Sequence, residues 1–199
     1  MSFKKIGVLV VSVFLIIFIF INIFNKSQIY PSYAEKLILD SLFQWKEIKN
    51  EKDVLDCQDK VLATIIHEYN FDGKSAINII KIVHDKMGMC YDQSMILQKY
   101  FIYRGFKVRP VLLFFNNSGH TRWTDIFLKN LQTHNIFEIN IDGKWLVIDP
   151  SIKLVKLMEI QDYLKISMLP LDTKYLRYVN NRNGKFIYPS YIPDIYGFF

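Results

Sequence analysis

Asp142-Gly143 lies between two runs of apolar or alternating residues, His134–Ile141 and Trp145–Asp149, and it constrains the fold more than any other stretch. Asp-Gly suits a two-residue turn in which both central residues take positive φ, so the runs are read as an antiparallel hairpin. The first run goes out over eight residues and the second returns over five, which folds His134 at one strand start towards Asp149 at the other strand end. A second constraint is Gly88-Met89-Cys90-Tyr91-Asp92, where a glycine able to end one helix precedes a cysteine in the first turn of the next. Cys90, Ser94, Leu97 and Phe101 fall on one face of that helix, so the thiol points inward. The positive end of the helix dipole favours a thiolate there. A cysteine, a histidine to take its proton and a carboxylate to orient the imidazole form a set used in acyl transfer.

These residues, with Leu97, Arg104-Gly105, Arg109, the His134…Glu138 spacing, Gly143-Lys144-Trp145 and Asp149-Pro150, resemble the transglutaminase-like superfamily within the papain-like cysteine enzymes. The resemblance covers roughly residues 75–152, and Ile136 stands where family members often carry Trp. It implies Cys90 as nucleophile, His134 as base and Asp149 as the orienting acid, acting on a peptide or protein amide through a thioester. Water as the acceptor would make a peptidase or amidase, which is favoured for a small, bacterial-looking, membrane-anchored chain. An amine would make a protein-glutamine transamidase. No cofactor or metal is implied. The alternative is a binding or scaffold module of the cell envelope that has kept the fold without the activity.

Residues Ile6–Phe24 carry no charge, and nineteen residues at about 1.5 Å each nearly match a ~30 Å hydrocarbon core. Lys4 and Lys5 precede this run and only Lys26 follows closely, so the positive-inside rule puts the N-terminus in the cytoplasm and the rest outside. Residues 1–26 are accordingly read as a signal anchor and 27–199 as the transglutaminase-like domain. Cleavage near Ser32-Tyr33-Ala34, giving a secreted or periplasmic product, is the rival. Once Lys4, Lys5 and Lys26 are set aside, 22 bases face 19 acids, with no basic stripe interleaved with aromatics, so nucleic acid is not an expected partner.

Periodicity predicts helices over 33–50, 53–69, 75–87, 90–104 and 155–166, and a strand over 107–115. Residues 123–131 fit a strand or a loop crossing the site, and the last 30 residues show no clean period. Helices followed by a small antiparallel sheet make an α+β domain. Leu37, Leu42, Trp45 and Ile48 are expected core contacts. Cys57, mid-helix in an apolar register, is read as core, with a Cys57–Cys90 disulfide left open. His67 and His84 are expected on helices and His120 in a surface loop. A metal site from His84, Met89 and Cys90 is a weak alternative, since no zinc-type ligand pairs occur. Arg104 and Arg109 are expected to fix helix–strand packing or to pair with a carboxylate, Asp92 to be a helix N-terminal charge, and Trp145 to be core.

Overall fold

The computed structural model describes residues 30–44, 47–67, 79–115, 132–167 and 173–177. The expected membrane helix, the His120 loop, the 123–131 stretch, Trp45 and most of the tail lie outside them. Among the described residues no helix is long and apolar enough to cross a membrane.

Helix α1 (Tyr33–Phe43) starts at a capping box: Ser32 Oγ accepts the Glu35 N–H at 3.3 Å, and Glu35 Oε2 accepts the Ser32 N–H at 2.7 Å. It ends before the expected Asn50, where Gln44 turns left-handed at φ 54°. Helix α2 (Glu51–Thr64) is capped by Asn50, whose side chain accepts the Asp53 N–H at 3.2 Å. Its predicted extension to residue 69 fails because the chain turns extended at Ile65 and enters β1 (Ile66–His67). His67 is therefore strand, not helix. Strand β1 pairs in parallel with β2 (Met87–Gly88), which follows α3 (Ile79–Asp85) and leads into α4 (Cys90–Tyr103).

Every residue of α4 from Asp92 to Phe101 is buried, so this helix is the centre of the domain rather than a half-wet surface helix. Helices α1 to α3 pack around it, and its other side meets the sheet, with the Phe101 and Phe137 rings 6.0 Å apart. The antiparallel sheet runs β5-β4-β3-β6, made of β3 (Val108–Phe115), β4 (Gln132–Ile141), β5 (Lys144–Ile148) and β6 (Lys174–Arg177). β6 lies in the tail that has no clean period. The turn at Asp142-Gly143 takes φ 51° and 83°, as the predicted hairpin requires, and pairs Ile141 with Lys144.

The strand alternation splits the sheet into two faces. Phe137, Ile139, Leu146 and Ile148 join the helices in one core, while Val111, Leu113, Ile136 and Val147 join a second. That second core is closed by Leu154, Met158 and helix α5 (Ile160–Ile166) through Ile160 and Tyr163. The α+β expectation holds, with the sheet covered on both faces. Leu37, expected in the core, is instead 53% exposed, because α1 turns Glu35, Leu39, Leu42 and Phe43 inward and Leu37 lies on the opposite side.

Candidate active site

The position of Cys90 is set by a close approach. A Cβ on Gly88 would sit 2.9 Å from Asp92 Cβ and 3.2 Å from Ile82 Cγ2, so only glycine fits against the first turn of α4. On sequence Gly88 is able to end the preceding helix, and helix ends are often closed by a residue with left-handed backbone. That conformation belongs to Lys86 (φ 55°), and the glycine is needed for packing. Asp92, at the third helical position, accepts the Met89 N–H at 2.9 Å, while burial pushes its carboxyl above the usual range. From the same first turn Gln93 Nε2 donates to the Ile65 carbonyl at 2.9 Å, which ties the Cys90 turn to the end of α2.

The hairpin delivers the other two residues. His134 and Asp149 lie on the same face of the sheet, and His134 Nε2 is 2.9 Å from both Asp149 oxygens. That leaves Nδ1 for the thiol, and Cys90 is hydrogen-bonded to His134 and to the backbone N–H groups of Asn135 and Tyr91. Burial raises the thiol, but these bonds and the imidazole's charge outweigh it and hold Cys90 below an ordinary cysteine. His134 is likewise lowered by burial, yet its bonds to Asp149 and Cys90 carry it up to about 10. The geometry thus favours a thiolate–imidazolium pair backed by a carboxylate.

Asp149 is 1% exposed and fully engaged. Besides the imidazole it accepts the Ser151 N–H at 2.9 Å and the Tyr163 hydroxyl at 2.5 Å. Its backbone carbonyl accepts from Gln58 Nε2 at 2.7 Å, and the same amide reaches the Ile152 carbonyl. Neither Tyr163 nor Gln58 was singled out in the sequence. Their one signal is a polar group inside an apolar helical stripe: Gln58 in step with Val54 and Val61, Tyr163 in step with Ile160. Buried polar groups in such stripes need partners, and here they find them at one residue.

The thiol opens on a cavity of about 810 Å³ walled by Met89, Phe115, Ile152 and Ile166, with His67 and Thr133 also on its lining. Cys57 is buried in the main core, and neither cysteine is in a disulfide. His84 is exposed on α3 beside Asp85, 2.9 Å from its carboxylate. No cluster of three His, Cys, Asp or Glu side chains able to hold a metal occurs among the described residues. Arg109 pairs with Glu138 as the sequence allowed, and Trp145, expected in the core, is half-buried under the Arg109 guanidinium.

No family model and no curated protein matches this chain. Solved structures do. It is similar to a candidate cysteine protease from Cytophaga hutchinsonii (17% identity, TM-score 0.46, covering 68% of this chain and 45% of that one). It is similar to a TGase (15% identity, TM-score 0.44, 59% and 31%). A third is a candidate protease from Parabacteroides distasonis (12% identity, TM-score 0.49, 83% and 29%). The chain spans less than half the length of each. At identities of 17% or less, residue roles rest on this chain's own geometry.

Proposed function

We propose that this chain is a transglutaminase-like cysteine enzyme acting on amide bonds of a peptide or protein, with Cys90 as nucleophile, His134 as general base and acid, and Asp149 as the residue that orients the imidazole. The observation that carries the reading is the relay from the Cys90 thiol through His134 to a buried, fully hydrogen-bonded Asp149. The Cys90 thiolate attacks the carbonyl carbon, and the electron pair of the C=O moves onto oxygen. The Cys90 N–H, at the first helical position, has no acceptor within the helix and is available to the oxyanion. Collapse expels the amine with a proton from the imidazolium and leaves a thioester. Water, activated by the now neutral His134, then releases the acid and restores the thiol proton to the pair. An amine in place of water would give a new amide, and hydrolysis is the favoured course.

The site belongs, in this reading, to a domain held outside the cytoplasm by Ile6–Phe24, whose flanking lysines favour an N-terminus inside. Its substrate is then a peptide or protein of the cell envelope. The rival is a binding module that has kept the fold. Alkylation of Cys90 by iodoacetamide across pH separates the two. A midpoint well below the free-thiol value of about 8.5, lost in His134→Ala, supports the enzyme. An ordinary midpoint in both proteins would overturn it in favour of the binding module.

A further inference from the structure

Helix α1 is built with its charges turned inward. Glu35 is 4% exposed and takes Lys99 Nζ at 2.5 Å; Asp40 is 7% exposed and accepts the Tyr103 hydroxyl at 3.3 Å. Lys36, the remaining charge of the helix, has its Nζ 5.3 Å from the centre of the Tyr103 ring. The side shown to solvent is uncharged: Tyr33 is 78% exposed and Leu37 53%, with Ala34 and Ser41 exposed beside them. Tyr30, just before the Ser32 cap, adds another ring at 59%. Three of the seven exposed large hydrophobic side chains among the described residues therefore fall within 30–37. A helix facing water ordinarily has the reverse arrangement, with its charges outward.

The sequence before α1 says what could meet this face. The uncharged apolar run ends at Phe24, six residues before Tyr30, and six residues extend at most ~20 Å. Tyr33, the first residue of α1, is three residues further on, so an anchored chain begins α1 within ~30 Å of the end of the run, a reach that includes the headgroup zone. Tyrosine is enriched at that depth, and helices with an apolar face lie along it. We infer that the Tyr30–Tyr33–Leu37 face of α1 lies on the lipid surface and holds the domain down against the membrane. This inference rests on the anchoring proposed above.

The test uses the full chain in native membranes, with p-benzoylphenylalanine placed in separate proteins at residues 33, 37 and 155. Val155 is 88% exposed and belongs to the segment that covers the opposite face of the sheet, so it serves as a control. Irradiation should give lipid adducts from 33 and 37 and none from 155, with the chain retained in the membrane after alkaline carbonate. Retention without lipid adducts at 33 and 37, or with adducts to protein, overturns the docking and leaves the anchor standing. Equal lipid adducts at all three positions also overturn it, because the face would then be unexceptional. Release by carbonate overturns the anchor itself, and the docking with it.

Discussion

The two ends of β4 present the same kind of chemistry on the same face of the sheet, and they finish it differently. Near the hairpin turn, Arg109 Nε and Nη2 meet Glu138 Oε2 and Oε1 at 2.6 and 3.1 Å, and the guanidinium carbon lies 4.1 Å from the centre of the Trp145 ring. Four residues away, His134 Nε2 meets both oxygens of Asp149 at 2.9 Å. Both carboxylates are 1% exposed. The Arg109 fork is engaged by Glu138 and stacked on an indole, and although a smaller cavity of about 360 Å³ opens there too, the guanidinium keeps its proton and offers no base to it. The imidazole spends one nitrogen and keeps the other for a thiol facing a cavity. The difference lies in the cation: a guanidinium holds its charge at every working pH, whereas an imidazole with one nitrogen on a carboxylate can still exchange a proton through the other.

The largest effect should come from the Arg109 end. Arg109→Ala removes both charge-assisted bonds to Glu138, each of a kind that contributes about 1.5–3 kcal/mol, so stability should fall by about 3 kcal/mol or more in urea unfolding. A loss below about 1 kcal/mol would show that this end does not hold the sheet. At the other end, His134→Ala should slow Cys90 alkylation at pH 6 by about 100-fold, since a thiol of ordinary acidity is then almost wholly protonated. Stability should change far less than in Arg109→Ala, and a comparable loss would erase the distinction between the ends.

Tyr163→Phe removes one donor from Asp149 but leaves Ser151 and His134 in place. Stability should drop by about 1.5–3 kcal/mol, the range for hydrogen bonds to a charge, and alkylation should slow less than in His134→Ala. Slowing equal to that of His134→Ala would make the phenol indispensable to the orientation of the imidazole.

The pH dependence of stability carries a sign that distinguishes a pair from a lone group. His134 is raised in the folded state, so alone it adds stability that is present below about 6.5 and lost as pH climbs to about 10. Cys90 is lowered, so its contribution runs the other way: present above the free-thiol value and lost as pH falls through the folded one. Above the free-histidine value of about 6.5, once the folded thiol has ionised, and up to the free-thiol value of about 8.5, the folded pair and the unfolded chain each hold one proton, and the two slopes cancel. Cys90→Ala should expose the histidine slope, so that its stability relative to the parent falls by up to about 1.4 kcal/mol per pH unit in that window. Parallel curves would mean that no proton has passed from sulfur to nitrogen. The smallest change should follow Trp145→Phe, which keeps a ring under Arg109 and should cost less than about 1 kcal/mol.

The His134 end could be read from sequence because its parts are local or repetitive. Asp142-Gly143 fixes the turn, strand alternation fixes the face, and counting residues brings His134 to Asp149. Cys90 came from a glycine and a helix start. What the sequence did not yield depends on contacts between distant segments. Gln58 reaches Asp149 from α2 and Tyr163 from α5, and nothing near either residue announces the partner. The early end of α2 and the strand at Ile66–His67 escaped notice because the apolar helical register runs on to Ile65, while the β1 pairing that stops the helix is made with residues 87 and 88. Leu37 was misplaced for the same reason. Its helix is turned by Lys99 and Tyr103, which receive Glu35 and Asp40 from across the core.

The convergence of donors on Asp149 also bears on how the protein is made. Cys90 leaves the ribosome before His134, Asp149 and Tyr163, and the acidity of its thiol depends on the imidazole that the last two hold in place. Until synthesis has passed α5 and the hairpin has closed, the emerging chain carries an ordinary, largely protonated cysteine. The raised acidity of the thiol thus appears only once folding is complete, and an unfinished or misfolded copy carries a cysteine no more acidic than a free one.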